Sequence, residues 1–178
     1  MKKNLLGFTL IELLIVIALL GALAVALLAA LDPLEQIRKG TDTGVRNTVA
    51  ELHGGAIRYS AIKGGVLPFT ATSGTIEWVL MNSEEGSGFI ANIIDSGELK
   101  TDFSKLAGKQ LDRIYMTGIN GPEYKVAICY APQAKSFRTD ENTKFGSSDT
   151  GEPVEDLEGC PNKDGENSTG EICYWCVR

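Results

Sequence analysis

The sequence predicts an α+β protein, in which a long N-terminal helix packs on a small antiparallel sheet that carries a disulfide-bonded C-terminal loop region. Three observations lead to this prediction. An apolar run extends from Leu5 to Leu31, a helical repeat of apolar residues follows it, and two strand-like segments flank Asn120-Gly121. Length and period indicate helix for the first two, and Asn-Gly between strands is a strong hairpin signal.

The apolar run is long enough to cross a bilayer, because about 20 apolar residues in a helix span the hydrocarbon core. Glu12 is the only charged residue between Leu5 and Leu31. Lys2 and Lys3 precede the run, whereas the first charges after it are acidic. The positive-inside rule therefore predicts one transmembrane pass with a cytoplasmic N-terminus and an exported remainder.

Residues 32–64 read as an amphipathic continuation of this helix. Small or apolar residues recur every three or four positions and predict one buried stripe: Leu34, Ile37, Thr41, Val45, Val49, Leu52, Ala56 and Tyr59. Charged residues, including Asp42 and Arg46, occupy the other positions and are predicted to face water. Pro33 predicts a bend or a capped junction at Asp32.

A helix that ran continuously from Phe8 to Lys63 would measure roughly 80 Å at 1.5 Å per residue. That length exceeds what a compact domain needs, so other copies of the chain would have to bury the apolar surface. Gly64-Gly65 and Pro68 predict where the helix ends.

Residues 65–178 read as one globular α/β domain. The predicted elements are a short helix near Phe89–Asp95 and strands near Arg113–Ile119, Glu123–Tyr130 and Glu171–Val177. Pro132–Gly170 is rich in Gly, Ser, Asp, Asn, Thr and Pro, which predicts long surface loops.

Composition limits the function classes. The chain has 178 residues and a net charge of -6, which fits one domain plus an extra element. An acidic surface disfavours broad nucleic-acid binding, so DNA is expected to make only a weak local contact. The single histidine, His53, leaves little room for imidazole catalysis. With no P-loop, G-x-S-x-G, H-E-x-x-H or G-x-G-x-x-G pattern, we predict no enzyme and no cofactor.

The four cysteines, Cys129, Cys160, Cys173 and Cys176, lie in the C-terminal third, as in an oxidised exported domain. A zinc site would need a second close pair, and the acidic stretch Glu152–Glu171 lacks EF-hand spacing, so no metal is predicted. Cys173 and Cys176 face opposite sides of a strand and should bond elsewhere. Of three connectivities we favour Cys160 with Cys173, which closes a local loop, and Cys129 with Cys176, which ties two predicted strands.

Residues Gly7 to Ile17, read as Gly-Phe-Thr-Leu-Ile-Glu-Leu-Leu-Ile-Val-Ile, resemble the prepilin signature of type IV pilins and pseudopilins. The resemblance implies that prepilin peptidase removes a leader, residues 1–7, by cutting after Gly7. It implies N-methylation of the new terminus at Phe8, and a transmembrane and filament-core helix over residues 8–31. It also implies a single-pass precursor in the inner (cytoplasmic) membrane, from which the pilus assembly machinery builds a homo-oligomeric helical filament on the cell surface.

Glu12 would be the fifth residue of such a mature chain. A carboxylate inside an apolar helix costs about 2.5 to 3.5 kcal/mol, so a compensating partner is expected. The resemblance implies that the partner is the α-amine of Phe8 in a neighbouring subunit, which would set the axial register during assembly. A carboxylate that snorkels to the membrane edge is the simpler alternative. One departure from the family pattern is Ala29, where a proline is usual, since Pro33 follows only later.

The resemblance implies a structural pilin that serves adhesion, twitching motility or DNA uptake. A type II secretion pseudopilin, which would form a short piston, is the alternative within the family. Outside the family stands a conventional secretory signal, because Ala22-Leu23-Ala24 and Ala24-Val25-Ala26 have the small-x-small form that signal peptidase uses. Glu12 interrupts the apolar core of such a signal and so disfavours it. Within the family, the chain length, the long polar loops and the predicted disulfides favour the pilin over the pseudopilin.

Overall fold

The computed structural model describes residues 7–69, 74–120, 125–146, 158–167 and 169–178. Its helices are α1 Leu10–Ala30, α2 Pro33–Ile62, α3 Glu84–Asp95, α4 Phe103–Ala107 and α5 Lys135–Arg138, with a 3₁₀ helix at Gly108–Arg113. Its strands are β1 Gly74–Leu80, β2 Ile114–Asn120, β3 Lys125–Tyr130 and β4 Trp175–Val177. The chain divides into two compact units, Met1–Gln36 and Ile37–Arg178, and we call the second unit the head.

Helix α1 has the dimensions of a membrane span. Its 21 residues correspond to about 32 Å at 1.5 Å per residue, close to the thickness of a hydrocarbon core of about 30 Å. It is long and apolar enough to cross a membrane, and none of its residues is buried within the chain.

The junction between α1 and α2 confirms the predicted cap at Asp32. Leu31 is extended, and the Asp32 carboxylate accepts the N–H of Glu35 at 3.2 Å, so Asp32 caps α2 as predicted. The helix is therefore not continuous from residue 8 to 63. Pro33 explains the break, because it lacks an N–H, its ring clashes with the preceding turn, and it disfavours helical geometry in the residue before it. Proline is well suited to the first position of α2.

The head contains one antiparallel sheet with the strand order β1-β2-β3-β4. The predicted hairpin is confirmed, since β2 and β3 pair from Ile114 opposite Tyr130 to Ile119 opposite Lys125. Gly121 of the predicted turn lies outside the described residues. Strand β1, which joins β2 with an irregular register between Ile76 and Val79, was not predicted.

The main core lies between α2, α3 and one face of the sheet. The predicted stripe is confirmed over its middle, where four α2 residues are fully buried: Val45, Val49, Leu52 and Ala56. The stripe is wrong at its beginning, since Ile37 is 66% exposed and Thr41 is also exposed. Asp42, predicted to face water, is fully buried beside Thr41. The long-range polar contacts described below account for this reversal.

Two glycines allow the helices of the head to approach closely. A Cβ atom on Gly86 of α3 would come within 2.4 Å of the Leu80 carbonyl oxygen. One on Gly55 of α2 would lie 3.1 Å from side-chain atoms of Ile93 and Leu99. Helix α3 confirms the predicted helix near Phe89–Asp95 and begins earlier, after the Ser83 cap.

The other face of the sheet carries a second, smaller cluster under the C-terminal loop. Its members are Ala127, Cys129, Phe145 and Tyr174, with Trp78 and Tyr115 packed against them. The predicted strand over residues 171–177 is too long. Only Trp175–Val177 pairs with β3, while Ile172 and Tyr174 form single bridges to Glu166 and Phe145. The predicted long loop also contains the short helix α5.

Asp42 of α2 attaches the chain that follows β3. The Asp42 carboxylate pairs with the Arg113 guanidinium at 2.8 Å and accepts the main-chain N–H groups of Gln133 and Ala134 at 2.8 and 2.7 Å. Arg113 also donates to the Ala131 carbonyl. A buried charge is tolerated when it is paired and hydrogen-bonded in this way.

Arg46 lies one turn further along α2 and binds the same region. Its guanidinium donates to the Tyr130 hydroxyl at 3.0 Å and to the Asp140 carboxylate at 2.9 Å. It also lies over the rings of Phe137 and Trp175, at 4.1 and 4.7 Å from their centroids. Burial raises the pKa of Tyr130 to about 12, although the Arg46 hydrogen bond acts in the opposite direction.

Candidate functional site

The predicted processing junction lies in the non-helical segment that precedes α1. Met1 to Leu6 lie outside the described residues, while Gly7, Phe8 and Thr9 are described and adopt no regular structure. Phe8 is 79% exposed. A Cβ atom on Gly7 would meet nothing within 4 Å, and its backbone is not in the left-handed region. Contacts within the described chain therefore impose no need for glycine at this position.

Thr9 and Glu12 close the first turn of α1 as a capping box. The Thr9 hydroxyl accepts the main-chain N–H of Glu12 at 3.3 Å. In return, Oε2 of Glu12 accepts the Thr9 N–H at 2.9 Å and the Thr9 hydroxyl at 2.6 Å. Such a box satisfies main-chain donors that a helix start otherwise leaves without acceptors. Thr9 was not singled out from the sequence, although Thr-x-x-Glu before an apolar run is the usual signal for this cap.

Among the described residues, the Glu12 carboxylate has hydrogen-bond partners at one of its two oxygens. In the part of the chain that the structure describes, Oε1 accepts no hydrogen bond and no cation pairs with the carboxylate. Both contacts of Oε2 come from neutral donors on the same helix turn. The capping box therefore orients the carboxylate without neutralising its charge.

The head carries the two disulfides. Cys129 bonds Cys176 directly across the β3–β4 pair, and Cys160 bonds Cys173 within the C-terminal loop. This is the pairing that the sequence favoured, and the Cys173-x-x-Cys176 pair is not bonded to itself. The first bond fixes a three-residue edge strand, and the second closes a loop in which the two cysteines are 13 residues apart.

Side chains also organise the C-terminal loop. The Asn162 carbonyl oxygen accepts the N–H groups of Asp164 and Gly165, and the Arg138 guanidinium donates to the Gln133 and Asp164 carbonyls. Asn167, the first residue of a glycosylation pattern, is buried and donates to the Glu171 carboxylate. Within the described ranges no group of three potential metal ligands occurs. Residues 152–157 and 168 of the acidic stretch lie outside those ranges.

Comparison with known proteins assigns the N-terminal segment. The family model for the prokaryotic N-terminal methylation motif matches residues 2–28, which is the type IV prepilin signature. No curated protein and no solved structure matches the chain. The motif and the apolar helix support a membrane-anchored precursor of the type IV pilin or pseudopilin type, and the signature points to a structural subunit rather than an enzyme.

Proposed function

We propose that this chain is the structural subunit of a type IV pilus. Prepilin peptidase removes residues 1–7, the new terminus at Phe8 is N-methylated, and residues 8–31 hold the subunit in the inner membrane until the assembly machinery moves it into a surface filament. The observation that carries the proposal is the match of residues 2–28 to the methylation motif. The filament would serve adhesion, motility or DNA uptake.

The free surface of α1 supports polymerisation. Every large apolar side chain described in this helix is exposed, from 44% at Val16 to 81% at Leu10. An apolar patch of that extent is stable only against lipid or against another apolar surface. A bundle of identical helices supplies such a surface, so assembly exchanges lipid contacts for contacts between copies. The amphipathic residues 32–64 and the globular residues 65–178 would then project from the filament core.

The Gly7–Phe8 junction supports processing at this point. Neither backbone geometry nor packing within the described chain calls for a glycine at position 7. In this proposal, the glycine is needed by the enzyme that cuts after it. A peptidase whose active site accepts only a small residue before the cut has this requirement. Mass spectrometry of the mature chain should give N-methylated Phe8 as the first residue. A chain that begins at Val25 or Leu27 would instead indicate a secreted soluble domain released by signal peptidase.

Glu12 supports ordered assembly. Replacing it with an apolar residue would ease membrane insertion, and a neutral side chain could also cap the helix, so the advantage of its charge must arise in another state. Cleavage creates an α-amine at Phe8, and a neighbouring copy can bring that cation to Oε1 of Glu12, which accepts no hydrogen bond from the described residues. In a medium of low dielectric this attraction far exceeds its value in water. Losing the partner would leave a buried amine unpaired, a penalty of about 3 to 5 kcal/mol for each added subunit.

Two substitutions separate the charge of Glu12 from its cap. Glu12→Gln keeps an oxygen for the Thr9 N–H and removes the charge, whereas Glu12→Ala removes both. We expect both variants to be exported and cleaved normally and to give little or no sheared surface fibre, with mature subunit accumulating in the membrane. Thr9→Val is the matched control, because it removes the hydroxyl of the cap and keeps the charge of Glu12. It should give more surface fibre than Glu12→Gln or Glu12→Ala. Wild-type fibre yield from Glu12→Gln cells would refute the charge-based role.

The same preparation separates a pilin from a pseudopilin. Long surface fibres that contain this chain, seen by electron microscopy and lost with its gene, are expected for a pilus subunit. Loss of type II secretion without loss of fibres would identify a pseudopilin.

A further inference from the structure

Helix α4 presents an exposed apolar side chain between two cations. Leu106 is 68% exposed, whereas its helix neighbours Phe103 and Ala107 are buried and anchor α4 to the head. Lys105 and Lys109 are exposed on either side, and neither forms an ion pair with any described residue. We call Lys105, Leu106 and Lys109 the α4 knob.

An open groove of about 400 Å³ lies between the start of α2 and the C-terminal loop. Ile172, which is 43% exposed, gives it an apolar floor. Asp164 and Glu166 line it as exposed carboxylates, and the described chain pairs no cation with either. Arg138 also lines the groove, and its guanidinium donates hydrogen bonds to main-chain carbonyls. Arg38 lines the groove on the α2 side. Ile172 and the carboxylates of Asp164 and Glu166 complement the knob, whereas the cation of Arg38 does not.

The knob and the groove lie at different positions along and around α2. Arg38 borders the groove, whereas Thr48 and Glu51 border the small cavity next to Leu106. At 1.5 Å and 100° per residue, these positions are about 15 to 20 Å apart along α2 and about 80° to 140° apart around it. A helical polymer repeats one rotation and one rise, so its contacts join two different patches of the same chain. Patches offset in height and angle meet that requirement.

We propose that the α4 knob of one copy docks in the groove of another copy in the same filament, with Leu106 covering Ile172 and the two lysines facing Asp164 and Glu166. This inference rests on the proposed function. A second copy is the occupant because both halves of the contact are present on this chain. The full chain carries a net charge of -6, and loss of Lys2 and Lys3 with the leader makes the assembled copy more acidic still, so heads repel unless opposite charges are matched locally. Docking thus sets the register of heads, as Glu12 sets that of the core helices.

Photo-crosslinking tests the contact in assembled fibres. A photoreactive amino acid replaces Leu106, sheared fibres are irradiated, and adducts are mapped by mass spectrometry. We expect an adduct of dimer size that joins position 106 to the peptide containing Asp164 and Ile172. The same probe at Ile62, which is 60% exposed, should not mark that peptide. An adduct elsewhere on the chain, to a different protein, or none at all would overturn the docking.

Charge reversal gives an independent measure. Lys105→Glu with Lys109→Glu should lower the denaturant concentration at which fibres disassemble, and adding Asp164→Lys with Glu166→Lys should restore it. Adding Glu84→Lys with Glu85→Lys, which reverses two exposed charges on α3, should not. If wild-type fibres form and the variant with Lys105→Glu and Lys109→Glu disassembles at the same denaturant concentration, the docking alone is refuted. If the wild-type chain forms no fibres, the proposed function is refuted as well.

Discussion

Replacing Asp42 with alanine should destabilise the head by about 3 to 5 kcal/mol, the usual cost of removing one partner of a buried ion pair. The Asp42 side chain is completely buried, whereas that of its partner Arg113 is 20% exposed. Removal leaves this guanidinium uncompensated, and the Nη1 atom of Arg113 is already buried without a hydrogen-bond partner. The N–H groups of Gln133 and Ala134 also lose their acceptor. A buried donor without an acceptor costs about 1 to 3 kcal/mol.

Asp42→Asn should also destabilise the head, by a smaller amount. The asparagine amide keeps one oxygen, but its NH₂ group must face either the Arg113 guanidinium or the two main-chain N–H groups. Either arrangement places the NH₂ group, a hydrogen-bond donor, against other donors, so at least one hydrogen bond is lost. A partial recovery relative to Asp42→Ala is expected, and a full return to wild-type stability would show that the charge of Asp42 is irrelevant.

The matched control is Glu98→Gln, which breaks the Arg58–Glu98 pair at 2.7 Å, in which the arginine side chain is 55% exposed. Exposed pairs contribute about 0 to 1 kcal/mol. The assay is urea unfolding of the chain in detergent, followed by the fluorescence of Trp78 and Trp175. A loss below 1 kcal/mol for Asp42→Ala, or a loss equal to that of Glu98→Gln, would refute the reasoning.

Two further predictions concern pH. Burial lowers the pKa of His53 in the folded chain, although a main-chain hydrogen bond with Val126 acts in the opposite direction. The unfolded chain therefore binds the proton more readily than the folded chain. The free energy of unfolding should fall as pH drops below about 6.5. His53→Gln should reduce that fall in urea titrations at pH 7.5 and 5.5, and an identical fall would assign it to other groups. Tyr130, with a pKa of about 12, should ionise about two pH units above a free tyrosine. Its contribution to stability should be lost as pH rises from about 10 through 12, and absorbance at 295 nm should lack this late step in Tyr130→Phe.

Local sequence signals predicted the parts of the fold that local chemistry determines. The apolar run, the 3.6-residue stripe of α2 from Val45 to Ala56, the cap at Asp32 and the β2–β3 hairpin all depend on neighbours within a few residues. The Thr9-Glu12 capping box has such a signal too, and it would have placed the start of α1 at Leu10. Strand alternation also predicted that Cys173 and Cys176 do not bond to each other; the pairing is as predicted, although Cys173 lies outside β4.

The parts that were missed depend on residues far apart in the chain. Asp42 looks like a surface charge of an amphipathic helix, and its partners Arg113 and Gln133 are 71 and 91 residues away. Strand β1 has an irregular register with β2, so it lacks the clean alternation of a half-buried strand. The five-residue helix α4 is too short to show a helical period and depends on the packing of Phe103.

The two faces of the sheet give the head two separate constraints on sequence change. Residues of the main core, such as Val49 and Ile128, must remain compatible with α2. The C-terminal loop meets the opposite face through Phe145 and Tyr174, and it keeps its shape by its own turns and by the Cys160–Cys173 bond. Substitutions within the second cluster can therefore change the surface above one face of the sheet while the packing of α2 on the other face stays the same.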